Sequence, residues 1–167
     1  MAKDMQFFGN QVKDFEEEIV QVNRVSKKTK GGNKIGFSVL TVVGNKNGKV
    51  GVGLGKAPDV SSAIKKGVAI AKKHAIEIPI INGSIPFEYK IKLGAARVLL
   101  KPAPPGSGVI AGGAVRSVVS LAGIQNISSK VLGTDNQASN VYATMEALKQ
   151  ISVRFYREKS IKGVNKK

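Results

Sequence analysis

The sequence has no cysteine and no tryptophan, a single histidine, and few acids. Without cysteine there are no disulfides, thiolate metal sites or thiol nucleophiles, a pattern compatible with a reducing cytosol. With His74 alone and no G-x-S-x-G elbow, a Ser-His-Asp arrangement has nothing to build on, and a histidine metal site lacks its second ligand. No apolar run approaches the roughly 20 residues that span a bilayer, and Met1 to Gln11 lacks the apolar centre of a secretory signal. Aromatics make up 5%, too few to anchor an amphipathic helix in lipid. These shortages leave no expected enzyme chemistry, cofactor, metal or membrane.

Cations are abundant. Lys and Arg number 27 against 11 Asp and Glu, so the formal net charge is +16 and the natural partner is a polyanion. Nucleic acid fits best, because each phosphate neutralised releases condensed counterions. The charge is also segregated. Ile19 to Pro58 and Tyr89 to Thr134 contain no acid at all. Solvated surfaces usually interleave both signs, so two long acid-free windows indicate faces that meet phosphate. The 42% hydrophobic content suffices for one ordinary domain or two small ones sharing an interface.

Periodicity predicts an α+β chain of two such units. Ile19 to Val25 reads as a strand, and Ile35, Phe37, Val39, Thr41 and Val43 alternate as a longer one. After a turn at Asn45 to Gly48, Val50, Val52 and Leu54 alternate with Gly51, Gly53 and Gly55, a strand whose bare face something approaches closely. Asp59 is the expected N-cap of a helix with Val60, Ala63, Ile64, Gly67, Ile70, Ala71 and His74 on one face and Lys65, Lys66, Lys72 and Lys73 opposite. The first unit is therefore β-β-β-α. Pro79, Asn82, Gly83, Ser84 and Pro86 mark a linker. The second unit reads β-β-α-β-α: strands at Phe87 to Lys92 and Ala95 to Leu100, a helix from Ala114 to Ala122 closed by Gly123, a strand at Ile127 to Leu132, and a last helix capped by Asp135 or Asn136. Ala138, Val141, Met145 and Leu148 share a face of that helix. Beyond Val153 a flexible basic tail is expected. The corresponding boundaries are an extension at 1–14, a first domain at 15–78, a linker at 79–86, a second domain at 87–153 and the tail at 154–167.

Three segments carry the candidate chemistry. Ser26 to Asn33, SKKTKGGN, places lysines beside a Gly pair; this loop can insert against folded RNA, and it is expected to order only there. Lys49 to Pro58, KVGVGLGKAP, lacks the spacing of a dinucleotide or P-loop motif. Pro104 to Gly113, PPGSGVIAGG, leads into a helix whose first amides suit an anion, but a kinase reading lacks the carboxylates that Mg²⁺ needs. The bland alternative, solvated loops with incidental charge, is disfavoured by the missing acids. Phosphate contacts are expected from Arg24, Lys27, Lys28, Lys30, Gly31, Gly32, Lys34, Lys49, Lys56, Lys65 and Lys66. Phe37, Tyr89 and Phe155 are too dispersed for a base-stacking platform, so recognition should rest on shape and backbone.

VNRVSKKTKGG at Val22 to Gly32, LTVVGNKNGKVGVGLGKAPDV at Leu40 to Val60, KPAPPGSGVIAGGAVRSVVSLAGI at Lys101 to Ile124 and VLGTDNQASNVYATMEAL at Val131 to Leu148 resemble bacterial-type small-subunit ribosomal protein five. The resemblance covers nearly everything from Phe15 to Ile151. It implies a domain related to the double-stranded-RNA-binding domain without its first helix. A second domain follows, with the fold of certain small-molecule kinases and a left-handed β-α-β crossover, a hand opposite to the one the general rule favours. It further implies a structural protein of the small ribosomal subunit, located in the cytoplasm or an organelle matrix, with small-subunit ribosomal RNA as ligand. Its implied neighbours are ribosomal proteins four and eight, and messenger RNA where it enters the subunit. Roles in assembly, decoding accuracy and messenger unwinding come with these. By the same resemblance Arg24 to Lys34 is the inserted RNA-contacting hairpin, a region where family members alter spectinomycin sensitivity. Arg97, Lys101, Gly106, Ser107, Gly108 and Arg116 fall in the part that faces a protein partner. Two rivals stand beside this reading: a general nucleic-acid-binding protein, and an enzyme using the Gly-rich loop on a phosphorylated substrate.

Overall fold

Alternation of small and branched residues builds the first sheet. A computed structural model of the chain describes residues 15–164. The extension at 1–14 and the last residues of the expected tail lie outside them. β1 (Glu16–Thr29), β2 (Gly32–Gly44) and β3 (Lys49–Ala57) form an antiparallel meander, and a two-residue β4 (Ile76–Glu77) adds to the free edge of β3. The helix α1 (Val60–Lys73) starts where expected: the Asp59 side chain accepts from the Ser62 amide at 2.8 Å.

From Ser38 to Gly44 β2 is buried on both faces, and its two faces meet different partners. Val39, Thr41 and Val43 stand opposite Gly55, Gly53 and Gly51. This is the bare face, and what approaches it is α1. A Cβ built on Gly51, Gly53 or Gly55 would run into the carbonyl oxygen of Ala71, Gly67 or Ala63 respectively. Small residues on the helix meet absent residues on the strand. The buried stripe of α1 is accordingly Ala63, Gly67, Val68 and Ala71, whereas Ile70 at its edge and His74 past its end are exposed, contrary to the expected face. Leu40 and Val42, paired with Leu54 and Val52, point the other way.

The second unit contains β5 (Tyr89–Leu93), β6 (Ala96–Pro102), β7 (Val109–Ile110), α2 (Gly113–Ala122), β8 (Ile127–Val131) and α3 (Gln137–Val164). Its sheet has the order β5-β6-β8-β7. β7, hidden from the sequence by its two-residue length among glycines, runs parallel to β8, so β7-α2-β8 is a β-α-β crossover. Gly123 ends α2 in the left-handed region at φ 88°. Asn136, of the two candidates, caps α3 through the Ala138 amide at 3.0 Å. The flexible tail expected after Val153 is instead continuous helix as far as Val164. No proline or glycine interrupts it before Gly163, Arg154 pairs with Glu158 one turn on at 2.9 Å, and the same guanidinium lies 4.5 Å over the Phe87 ring.

α2 and α3 lie between the two sheets and give both units one core. Val42, Val50 and Val52 of the first sheet join Val98 and Leu100 of the second around Val118, Leu148 and Ile151. Cover on two sides explains why the buried arc of α3 widens from Val141 and Leu148 to Ala143, Thr144 and Ala147. Backbone bonds fasten the halves together. The amides of Lys46 and Gly48 donate to the Leu121 and Ala122 carbonyls at 3.0 and 2.8 Å, so the β2–β3 turn caps the end of α2. In the segment expected as a linker, Pro79, Ser84 and Ile85 are buried and the Gly83 carbonyl accepts from both Gln125 and Asn126.

The close contact sets a test. Gly53→Ala forces α1 off the sheet and is expected to cost about 3 kcal/mol or more. Gly113→Ala, with nothing within 4 Å of the added methyl, should leave stability unchanged or slightly raised. Urea denaturation of the two variants reads the contrast; equal midpoints would contradict the packing described.

Candidate nucleic-acid interface

Pairing beyond the body of the sheet creates an exposed cationic feature. β3 ends at Ala57, opposite Phe37, but β1 and β2 continue through Val25↔Gly36, Ser26↔Ile35, Lys27↔Lys34, Lys28↔Asn33 and Thr29↔Gly32. The segment expected as a loop is thus a paired ribbon projecting roughly 17 Å. Only Lys30 and Gly31 turn the chain; the Thr29 hydroxyl donates to the Gly32 carbonyl at 2.7 Å, and Gly32 takes φ 122°. Backbone pairing gives this segment its strand geometry even though its side chains are polar and exposed.

Strand alternation sorts the cations onto two faces. Arg24 and Lys28 share the α1 side with Asn33 and Ile35. Lys27 and Lys34 stand directly opposite one another on the other side, and Lys56, beside Ser38, continues that row. These three line a shallow groove of about 360 Å³ with Val25, Gly36 and Pro58. Like charges facing across two strands cost up to about 1 kcal/mol. No described carboxylate relieves them, since the ion pairs among the described residues are Lys46–Glu16, Lys72–Glu17, Lys101–Glu88 and Arg154–Glu158. The arrangement suits an external anion.

α1 runs antiparallel to β3, so its first half, with exposed Lys65 and Lys66, lies at the base of the ribbon on the side of Arg24 and Lys28. Asp59 at that base is occupied as a cap: hydrogen bonds from Ser62 hold its carboxyl below the ordinary range. Lys49 does not join the group. It sits at the other end of β3, opposite Glu77 and roughly 26 Å from Ala57.

The second unit separates its candidates. Gly106 and Gly108, at φ 90° and 70°, flank exposed Ser107 in a loop that one buried side chain organises: the Asn126 Oδ1 accepts from both glycine amides, at 3.0 and 3.2 Å. Sequence reasoning missed Asn126; an asparagine between a helix cap and a strand gives no local sign of a partner 20 residues earlier. Arg116 is exposed on α2, one residue before Ser117, whose hydroxyl donates to Glu18 at 2.5 Å. Arg97 and Lys101 lie elsewhere, on the outer face of the second sheet. Among the described residues no group of three or more His, Asp or Glu side chains is placed to hold a metal. No helix of the described residues is long and apolar enough to cross a membrane.

Comparison with known proteins agrees over both units. The family profile described as ribosomal protein S5, N-terminal domain, matches residues 15–79, and that described as ribosomal protein S5, C-terminal domain, matches residues 91–154. The chain is 55% identical over 141 residues to small ribosomal subunit protein uS5 of Thermotoga neapolitana, covering 84% of this chain and 79% of the relative. It is 53% identical over 136 residues to the uS5 protein of Thermosynechococcus vestitus, covering 81% and 78%. Against small ribosomal subunit protein uS5c of Porphyra purpurea it is 52% identical over 138 residues, covering 82% and 79%.

Two outcomes follow from the local geometry. Asn126→Ala strips two amides of their acceptor and should cost about 1–3 kcal/mol, with faster hydrogen exchange at Gly106 and Gly108; unchanged exchange there would mean the loop is held by something else. A depressed folded pKa at Asp59 means that its capping contribution is complete above the ordinary carboxylate pKa of about 4 and is lost as pH falls through the lower folded value. A difference in melting temperature between wild type and Asp59→Ala should therefore be present at pH 7 and shrink below pH 4.

Proposed function

The chain belongs to the ribosomal protein S5 family, and from this membership we infer that it serves as a structural, non-enzymatic protein of the small ribosomal subunit, bound to small-subunit ribosomal RNA through the β1–β2 ribbon. The observation that carries the ribbon assignment is its unneutralised charge: Lys27 opposite Lys34, Lys56 in the same row, and Arg24 and Lys28 behind. A two-stranded ribbon open on both faces can lie between phosphate backbones and contact both at once. Lys30, Gly31 and Gly32 form its leading end, where glycine lets the main chain come close to RNA. Lys65 and Lys66 extend the cationic surface along α1 at the base. Lys49, remote from the ribbon, would meet a different stretch of RNA.

Neighbouring proteins are assigned to the second unit. The Gly106–Gly108 loop is held by Asn126, so Ser107 is presented on a fixed support, and Arg116 offers a charge-assisted contact from α2. Docking on ribosomal proteins four and eight through such a surface, beside the route by which messenger RNA enters, accounts for support of assembly and of decoding accuracy. A general nucleic-acid-binding role would need equal affinity for any duplex; family membership favours the ribosomal one.

Changing Lys27, Lys28 and Lys30 together to Glu is expected to exclude the chain from assembled small subunits while leaving the purified protein folded. Sedimentation of lysate through sucrose, in moderate and then high salt, measures this. Wild type should stay with the subunit through the wash, and a triple variant that stayed equally well would remove the ribbon from the RNA-binding surface.

A further inference from the structure

The outer face of the second sheet is a charged surface that the ribbon reading leaves unused. α2 and α3 cover only one side of this sheet, where Ala96, Val98, Leu100 and Ile127 are buried. On the other side the register brings together residues that are scattered in sequence. Lys92 stands directly opposite Arg97, Lys90 lies in one row with Leu99 and Lys130, and Lys101 follows beside Ser128. Successive rows are about 6.7 Å apart, giving a cationic field roughly 13 Å long and 10 Å wide. Lys90, Lys92, Arg97, Lys101 and Lys130 are all exposed. Glu88 meets only Lys101, at 3.4 Å in an exposed pair of little strength. No other described carboxylate is within ion-pair distance of the field.

We propose that this open sheet face is a second RNA-binding surface, one that takes the phosphate backbone of folded RNA. The proposal rests on the ribosomal reading for the identity of the polyanion, and on the sheet register for the surface. A protein partner is the poorer fit. Protein interfaces are depleted in lysine and enriched in aromatics, whereas lysine is the commonest residue of this face, which has no aromatic side chain and only Leu99, Ile110 and Leu132 as apolar members. The missing aromatics also argue against stacking on unpaired bases and for contact with backbone. Lys92 facing Arg97 is unfavourable in the free chain and becomes favourable once a phosphate lies between them. Arg97 and Lys101 are thereby moved from the protein-facing set to the RNA-facing one.

The test is equilibrium binding of the purified full chain to protein-free small-subunit ribosomal RNA over a series of KCl concentrations. Lys90, Lys92, Arg97 and Lys130 are changed together to Gln, and Lys27→Gln/Lys34→Gln/Lys56→Gln is measured in parallel. The sheet variant should keep the wild-type melting temperature, weaken binding at least tenfold at moderate salt, and make the slope of log K against log salt shallower by about 3. Combining it with the ribbon variant should add the two losses. Wild-type slope and affinity in the sheet variant overturn the proposal while leaving the ribbon reading intact; loss of subunit incorporation with RNA binding unchanged overturns it in favour of a protein partner. No salt-dependent RNA binding by wild type would defeat both readings. If the fourfold variant fails to fold, Lys90→Gln/Lys130→Gln, within a single row, should still make the slope shallower by between one and two.

Discussion

The distance between α1 and β3 governs the architecture. Every second residue of a strand advances about 6.7 Å and every fourth of a helix 6.0 Å, so Gly51, Gly53 and Gly55 stay in step with the carbonyls of Ala71, Gly67 and Ala63 over three successive contacts. No side chain fits between them. The helix therefore lies directly on the strand, its lysines are pushed outward, and its first turn falls at the root of the ribbon. Because this face needs no bulky residues, the branched ones, Val50 and Val52, are all on the opposite face, where they become half of the core shared with α2 and α3. A steric rule about hydrogen atoms in place of methyl groups thus fixes the placement of both the charge and the second unit.

Charge is organised by a second rule, the two-residue period of strands. In the second sheet the period gathers cations on the face turned away from the core, and in the ribbon it places Lys27 and Lys34 opposite one another beyond the end of the core. Folding alone does not favour those oppositions. A phosphate placed between the facing cations would turn that cost into a gain, which is the physical basis of the RNA contacts proposed above.

Features that depend on near neighbours were legible in the sequence. Asp59 as a cap, a second cap at Asp135 or Asn136, Gly123 as a terminator and the glycine-faced strand all rest on residues within a turn or two of one another. Features that depend on pairing across distance were not. The ladder from Lys27↔Lys34 to the tip looked like a flexible loop because composition reports solvation, while a β-ladder is held by backbone groups common to all residues. β7 is too short to show a period, Asn126 acts on a loop well before it, and the run from Arg154 onward looked unstructured because its helix lacks the apolar stripe by which helices are read. The two halves of the candidate set differed for the same reason: the ribbon cations are near in sequence and near in space, whereas Arg97 and Arg116 share a segment but not a surface.

The bonds from Lys46 and Gly48 to the end of α2 have a further meaning for how the chain comes into being. Synthesis runs from the N-terminus, so the glycine-packed sheet and its turn are made well before Leu121 and Ala122 leave the peptidyl-transferase centre. The earlier half of the chain supplies both donors and the later half both acceptors, so this seam can close only after α2 has been made.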